Sequence, residues 1–153
     1  EFNMKLAEAL ILRKDLQTRI ANLRDRLFSN VLNQEGDAPS EDPSELILRL
    51  NKVYSELEDI INRINKTNAN TPFGDSSLAD AITKRDIMIR KVSVLREVLK
   101  RASERTNRYS QKEIRIVTTL NTAEEGKIVD QLAYEARVLD SKIQAKNWEI
   151  DLL

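Results

Sequence analysis

The stretch SELILRLNKVYSELEDIINRINK, residues 44–66, decides the fold because its apolar residues recur at intervals of three and four. This spacing places them on one side of an α-helix, whereas a strand would alternate every two residues. Two neighbouring stripes run along the segment. One consists of Leu46, Leu50, Val53, Leu57, Ile60 and Ile64, and the other of Ile47, Leu50, Tyr54, Leu57, Ile61 and Ile64. A helix with two apolar stripes is expected to contact neighbours on two sides.

The same rhythm predicts three more helices, at about residues 5–32, 77–107 and 122–146. Their stripes are Leu6, Ala9, Arg13, Leu16, Ile20, Leu23 and Leu27 in the first, Leu78, Ala81, Arg85, Met88, Val92, Leu95, Leu99 and Ala102 in the third, and Val129, Leu132, Ala136, Leu139 and Ile143 in the fourth. Connectors of this size allow neighbouring helices to pack antiparallel, so we predict a mainly α protein, an antiparallel four-helix bundle of long helices. We also predict one or two short β-strands, at about 113–120 and 148–152, because apolar residues alternate there. The strands would pair within the chain or across subunits. A capping box at Thr122 and Glu125 is expected to begin the fourth helix.

Composition sets limits on the class of protein. Residues 1–3 are expected to be a cloning remnant before a natural start at Met4, and residues 4–153 to form a single helical domain. The chain has no cysteine and no histidine, which excludes disulfides, thiolate nucleophiles and imidazole bases. Its 25 basic and 25 acidic side chains cancel, so nucleic acid is not an expected partner. Without a long apolar run or an export pattern, we expect a soluble cytoplasmic protein with no cofactor and no stable membrane association.

Two arginines interrupt otherwise apolar helical stripes. Arg85 lies between Ala81 and Met88 in the third helix, and Arg13 occupies an equivalent position in the first. A guanidinium in such a stripe needs acidic partners from other helices, because an unpaired buried charge is strongly unfavourable. Folding the third helix onto the fourth as an antiparallel pair places Arg85 about one turn from Asp140.

The same antiparallel folding gathers polar residues at one end of the bundle. The candidate ligand-binding residues there are Arg13, Arg85, Asp59, Asp80, Asp86, Asp140, Asn62 and Asn65. Such arginines serve either as structural ion pairs that fix helix register or as a site for a small anion, which guanidinium groups bind well. No catalytic residue and no metal ligand is assigned. Glu56 and Asp59 have the one-turn spacing of magnesium-binding carboxylates, but a companion pair is missing.

Several motifs give the chain a family resemblance. They are MKLAEALILRKDLQTRI at 4–20, NQEGDAPSEDPSEL at 33–46, INKTN at 64–68, KRD at 84–86, RYSQKEI at 108–114 and LDSKIQAKNW at 139–148. Together they resemble a bacterial family of uncharacterised proteins that are often labelled septicolysin, and the resemblance extends over residues 4–152. The label suggests a cytolysin, although a thiol-activated toxin would need the cysteine that this chain lacks.

Three functions follow from these observations. The first is a non-enzymatic, self-associating helical protein, a homo-oligomer, because the doubled stripe and the alternating segments offer more apolar surface than one core uses. The second is an anion-binding or Mg²⁺-dependent hydrolytic protein that uses the polar cluster. The third is a membrane-active, cytolysin-like protein whose amphipathic helices rearrange on lipid.

Overall fold

Four long helices make up most of the protein in this computed structural model, which describes residues 3–104 and 114–153. They are α1 (Leu6–Asn30), α2 (Pro43–Asn70), α3 (Leu78–Ser103) and α4 (Thr122–Glu149). The predicted mainly helical bundle class is therefore confirmed. The helix ends agree with the prediction to within a few residues, except that residues 105–107 of the predicted third helix lie outside the described residues.

Side chains cap the helix starts where the sequence supplies oxygen acceptors. At the start of α2, Asp42 Oδ1 accepts a hydrogen bond from the Ser44 backbone N–H at 3.0 Å. At α4, Asn121 Oδ1 accepts from the Glu124 N–H at 3.1 Å, and the Asn121 amide donates to the Glu124 carboxylate at 3.3 Å. The cap lies one residue earlier than predicted, because asparagine caps at least as well as threonine and Thr122 is already helical.

The sheet lies elsewhere than predicted. β1 (Pro72–Phe73) and β2 (Ser76–Ser77) pair around a turn that contains Gly74 at φ 57°, a conformation that glycine adopts without strain. The strand predicted at 113–120 is wrong for residues 114–120, which pair with no other described segment and leave Ile116 67% exposed. A strand needs a bonded neighbour, and alternation alone does not supply one. Residue 113 lies outside the described residues.

The C-terminal residues pair with the N-terminal ones. The Leu6 N–H donates to the carbonyl of Ile150 at 2.9 Å, and the Leu152 N–H donates to the carbonyl of Met4 at 2.7 Å, around an isolated antiparallel bridge. The strand predicted at 148–152 is wrong in its first part, because α4 continues to residue 149. Too few extended residues remain after the helix to form more than a bridge.

The contacts divide the chain into two compact units. Unit 1 comprises residues 1–72 and 144–153, and unit 2 comprises residues 73–143. Helix α4 passes without interruption from unit 2 into unit 1. The units are therefore groups of contacts within one chain, and the single domain of the sequence analysis stays a prediction.

In unit 1, α1 and α2 pack together around an apolar cluster. Leu23 and Leu27 of α1 contact Leu46 of α2, and Leu50 and Val53 lie against them. All five residues belong to the predicted stripes, so this part of the core is confirmed. Burying a leucine side chain contributes about 1.5–3 kcal/mol, which makes the cluster a main source of stability in unit 1.

The connector between α1 and α2 is held at its far end. Buried Asn30 accepts a hydrogen bond from the Glu41 N–H at 3.0 Å and donates to the carbonyl of Arg26 at 2.7 Å. The Glu41 carboxylate accepts two further hydrogen bonds from the Arg26 guanidinium. Residues 31–40 are exposed, so the connector is solvated up to this anchor.

In unit 2, α3 and α4 lie antiparallel. Two ion pairs among the described residues show their register: Arg85 Nη1 lies 3.0 Å from Asp140 Oδ1, and Arg96 Nη2 lies 3.8 Å from Asp130 Oδ1. These pairs are separated by about 16 Å along α3 and about 15 Å along α4 at the usual rise per residue. The register of α3 against α4 is therefore the same at both ion pairs.

Candidate functional site

Arg85 binds two carboxylates. Its Nε lies 3.1 Å from Asp86 Oδ1 and its Nη1 lies 3.0 Å from Asp140 Oδ1, and its side chain is 18% exposed. The acidic side chains are more open, at 50% for Asp86 and 44% for Asp140. The guanidinium has therefore exchanged most of its water for two charge-assisted hydrogen bonds, one of which joins α3 to α4.

This arrangement explains how a charged residue occupies an apolar helical stripe. Asp140, expected about one turn away, contacts Arg85 directly. The pair connects α3 and α4 at this level of the two helices. The two contacts use Nε and Nη1 of the guanidinium, and a ligand at this cluster stays a prediction.

Asp80, another predicted site residue, helps to begin α3. Its backbone N–H donates to Ser77 Oγ at 3.2 Å, and its carboxylate accepts a hydrogen bond from the Ser76 hydroxyl. An acid in the first turn also interacts favourably with the helix dipole. The contacts of Asp80 are those of a helix cap.

The remaining predicted site residues belong to unit 1. They are Arg13 on α1, which is half-buried, and Asp59, Asn62 and Asn65 on α2, which are exposed. Their side chains form no hydrogen bond or ion pair among the described residues. Of the predicted set, direct contacts bring together Arg85, Asp86 and Asp140.

A groove opens between α3 and α4 within unit 2. It has two adjoining parts of about 520 Å³ and 390 Å³, and Glu135 lines both of them. Its apolar floor includes Met88, Leu95, Ile128, Leu132, Val138 and Leu139. Four of these six residues, Met88, Leu95, Leu132 and Leu139, belong to the helical stripes that the sequence analysis assigns to the core.

Lysines form the rim of the groove. Lys84 and Lys91 lie on α3, Lys127 and Lys142 lie on α4, and all four are exposed. None of them forms an ion pair within residues 3–104 and 114–153. Among the described residues that line the groove, Glu135 is the one acid. An apolar floor with a positive rim suits a partner that combines apolar and acidic side chains.

A second cleft, of about 360 Å³, lies between α1 and α2 in unit 1. Its charged lining consists of Arg19, Arg26, Arg49, Lys52 and Glu56. Arg19 and Arg26 are already paired with acids, whereas Arg49 and Lys52 have no ion-pair partner in the described part of the chain. Its basic side chains outnumber its one acid, Glu56, so the lining of the cleft is positive.

The sequence analysis missed both the groove and this cleft. The cleft has a signal in the spacing of its basic residues, because Arg19 and Arg26 are two turns apart and Arg49 and Lys52 are one turn apart. Each pair therefore lies on one helical face. The signal becomes specific only when the two faces are known to meet.

Two surface carboxylates have altered pKa values. The hydrogen bonds between Arg26 and Glu41 lower the pKa of the Glu41 carboxyl below its ordinary value. The same bonds raise the pKa of the Arg26 guanidinium. Lys5, whose Nζ lies 2.7 Å from Asp151 Oδ1, lowers the pKa of Asp151 in the same way. The first pair anchors the connector after α1, and the second holds the C-terminal tail.

Within residues 3–104 and 114–153, the helices do not combine the length and the hydrophobicity that a membrane-spanning segment requires. Within the same part of the chain, no group of three or more acidic side chains is placed to hold a metal ion.

Comparison with known proteins identifies a family. Residues 13–152 match the model of DUF6847, a family of unknown function, and the chain therefore belongs to that family. The chain is also similar to a protein whose crystal structure is described as that of a functionally unknown conserved protein from Corynebacterium diphtheriae. The two are 37% identical with a TM-score of 0.92, over 99% of this chain and 100% of the other. No curated protein matches the chain.

Proposed function

We propose that this protein is a non-enzymatic helical protein that associates with copies of itself. One observation carries the proposal: in α3, all of which the structure describes, Leu78 and Ala81 are the only buried residues. Residues 82–103 therefore form six turns of helix whose apolar stripe, Ile82, Met88, Val92, Leu95, Leu99 and Ala102, is only half-buried. A helix of this length depends on apolar contacts along one face to stay folded in water, and a second copy completes the contacts that this stripe lacks.

The facing part of α4 also has little core. Within residues 122–143, the buried residues are Val129, Ala133, Ala136 and Ile143. Two of the four are alanines, which bury little apolar area and so contribute little to the free energy of unfolding. A pair of long helices held by so few buried side chains is marginally stable by itself.

The exposed apolar side chains of α3 are arranged as an interface requires. Ile87, Val94 and Val98 are 55%, 57% and 45% exposed and lie on one face of the helix.

Light scattering during size exclusion tests this proposal, because it measures molar mass independently of elution volume. At micromolar concentration we expect a multiple of the 17.6 kDa chain mass. A mass of one chain at every concentration up to that of a concentrated stock would overturn the proposal. Circular dichroism on the same sample checks that the protein is helical.

The positive cleft of unit 1 supports a second proposed function, the binding of a small anion. Arg49 and Lys52 form no ion pair among the described residues, although the charge of Arg49 helps to lower the pKa of Glu41. Both line the same cleft as Arg19 and Arg26. Phosphate and pyrophosphate should then raise the Tm of the wild type. The rise should disappear in the Arg49→Met and Lys52→Met double variant and persist in Lys14→Met, a change of an exposed lysine outside the cleft.

A wild-type Tm that neither anion changes would contradict anion binding. The same conclusion would follow from an equal rise in the double variant, because the anion would then bind elsewhere. Self-association is measured separately and does not depend on this result.

A further inference from the structure

The groove between α3 and α4 defines the chemistry of what it binds. Met88, Leu132 and Leu139 contribute to its apolar floor, and four exposed lysines surround it. A partner that fills the groove therefore has to offer apolar side chains to the floor and carboxylates to the lysines. A partner with polar groups facing the floor would bury them without hydrogen bonds. A partner with basic groups facing the lysines would be repelled by them.

The end of α1 and the residues after it have this composition. We call Phe28, Val31, Leu32, Glu35 and Asp37 the acidic tip. Its apolar side chains are exposed, at 64% for Phe28, 53% for Val31 and 86% for Leu32. The carboxylates of Glu35 and Asp37 are exposed and have no partner in the described part of the chain. Residues 34–45 hold five acids and no base, so the connector itself does not neutralise the tip. A base outside the connector, Arg24, stacks over the Phe28 ring at 4.4 Å, and the two carboxylates outnumber it.

We infer that the acidic tip of one copy seats in the α3–α4 groove of a second copy. The inference rests on the proposed self-association and names its interface. Leu32 and Phe28 cover the apolar floor, and Glu35 and Asp37 pair with lysines of the rim. Because every chain carries both a tip and a groove, two copies exchange two equivalent contacts if the assembly closes, and a longer assembly forms if it does not.

The second stripe of α2 is a competing occupant of the groove. It exposes 51% of Tyr54, which forms one surface with Leu57, Glu58 and Ile61. This surface brings one acid to the four lysines, whereas the tip brings two. The tip also carries a more exposed apolar side chain, Leu32. Charge complementarity and exposure therefore both favour the tip.

Charge reversal with rescue tests the pairing. The groove variant is Lys84→Glu with Lys142→Glu, and the tip variant is Glu35→Lys with Asp37→Lys. Sedimentation velocity should show that each variant raises the Kd of self-association about tenfold or more, because like charges then face each other. All four changes in one chain should return the Kd to within about threefold of the wild-type value, since opposite charges face each other again.

Matched variants separate the interface from general effects of charge and hydrophobicity. Lys14→Glu with Lys66→Glu reverses two exposed lysines of unit 1 and should leave the Kd unchanged. Leu32→Ser should weaken association, whereas Ile11→Ser, which changes another exposed apolar residue, at 60% exposure, should not. Circular dichroism confirms the helical content of every variant.

The outcomes distinguish the inference from the proposed function. A wild type that never associates overturns both. A wild type whose association survives both charge variants keeps the proposed function and overturns this interface, and loss of association in Tyr54→Glu would then assign the α2 stripe. Weakening in both variants without recovery in the combined chain also overturns the inference, because the tip and the groove would not contact each other.

Discussion

Replacing Arg85 with methionine should leave the free energy of unfolding almost unchanged, although the residue makes two ion pairs. The partners Asp86 and Asp140 are half exposed, so solvent screens both interactions, and exposed pairs contribute only about 0.2–1 kcal/mol. Methionine of similar length removes the cost of taking a guanidinium out of water and fits the apolar stripe. We expect a net change of less than about 0.5 kcal/mol.

Removing the carboxylate of the pair should lower the free energy of unfolding more than removing the guanidinium. Asp140→Asn leaves Arg85, which is 18% exposed, with Asp86 as its charged partner. Breaking a fully buried pair costs about 3–5 kcal/mol and an exposed one about 0.2–1 kcal/mol. The partial exposure places this loss near the lower range, at about 1 kcal/mol. In the double variant the cost of Asp140→Asn should fall by about 0.5–1 kcal/mol, because no guanidinium remains to be left unpaired.

Urea unfolding followed by circular dichroism measures these differences. Protein concentration has to be the same throughout, since association adds to apparent stability. Arg96→Met is the matched control, because its pair with Asp130 is longer, at 3.8 Å, and more exposed. A loss of more than about 3 kcal/mol in Arg85→Met would refute the reasoning, because the guanidinium would then behave as part of a buried network. Zero coupling between Arg85 and Asp140 would also refute it.

Three further changes have expected outcomes. Leu46→Ala should lower the free energy of unfolding by about 3 kcal/mol, because the side chain is 2% exposed. In the same urea titration, Leu48→Ala, at 69% exposure, should change the free energy of unfolding by no more than about 0.5 kcal/mol. The lowered pKa of Glu41 means that its pair with Arg26 stabilises the protein above about pH 4 and that this contribution is lost as the pH falls through the folded pKa. Glu41→Gln should therefore lower the Tm at neutral pH and match the wild type in strong acid; an equal loss at both pH values would contradict this. Asn121→Ala should cost about 1 kcal/mol by removing the cap of α4, and an unchanged unfolding midpoint would show that the cap contributes nothing.

The spacing of apolar residues at intervals of three and four predicts the helices and the α1–α2 core, because this spacing follows from the local geometry of an α-helix. Leu23, Leu27 and Leu46 meet where their stripes place them. The contact between Arg85 and Asp140 could also be anticipated to about one turn, because an antiparallel pair joined by a connector has few possible registers. Contacts that depend on one helix, or on two helices that follow each other in the chain, can therefore be predicted from the sequence.

Burial and pairing depend on what lies opposite, which a stripe does not specify. Met88 and Leu95 have the same pattern as the buried stripe of α1, yet they line an open groove. The alternation at residues 114–120 likewise predicts a strand only if another extended segment is available. The resemblance to septicolysin-labelled proteins and the cytoplasmic location stay predictions, since the family and the similar structure carry no function in their names.

Hydrogen exchange of α3 at two protein concentrations tests most directly whether another copy covers this helix. In concentrated samples we expect the backbone amides of residues 82–103 to be protected. On dilution below the Kd of self-association, the protection should fall for these residues and remain for the α1–α2 core around Leu46. Equal protection of residues 82–103 at every concentration would contradict the account, because the helix would then be stable without a second copy.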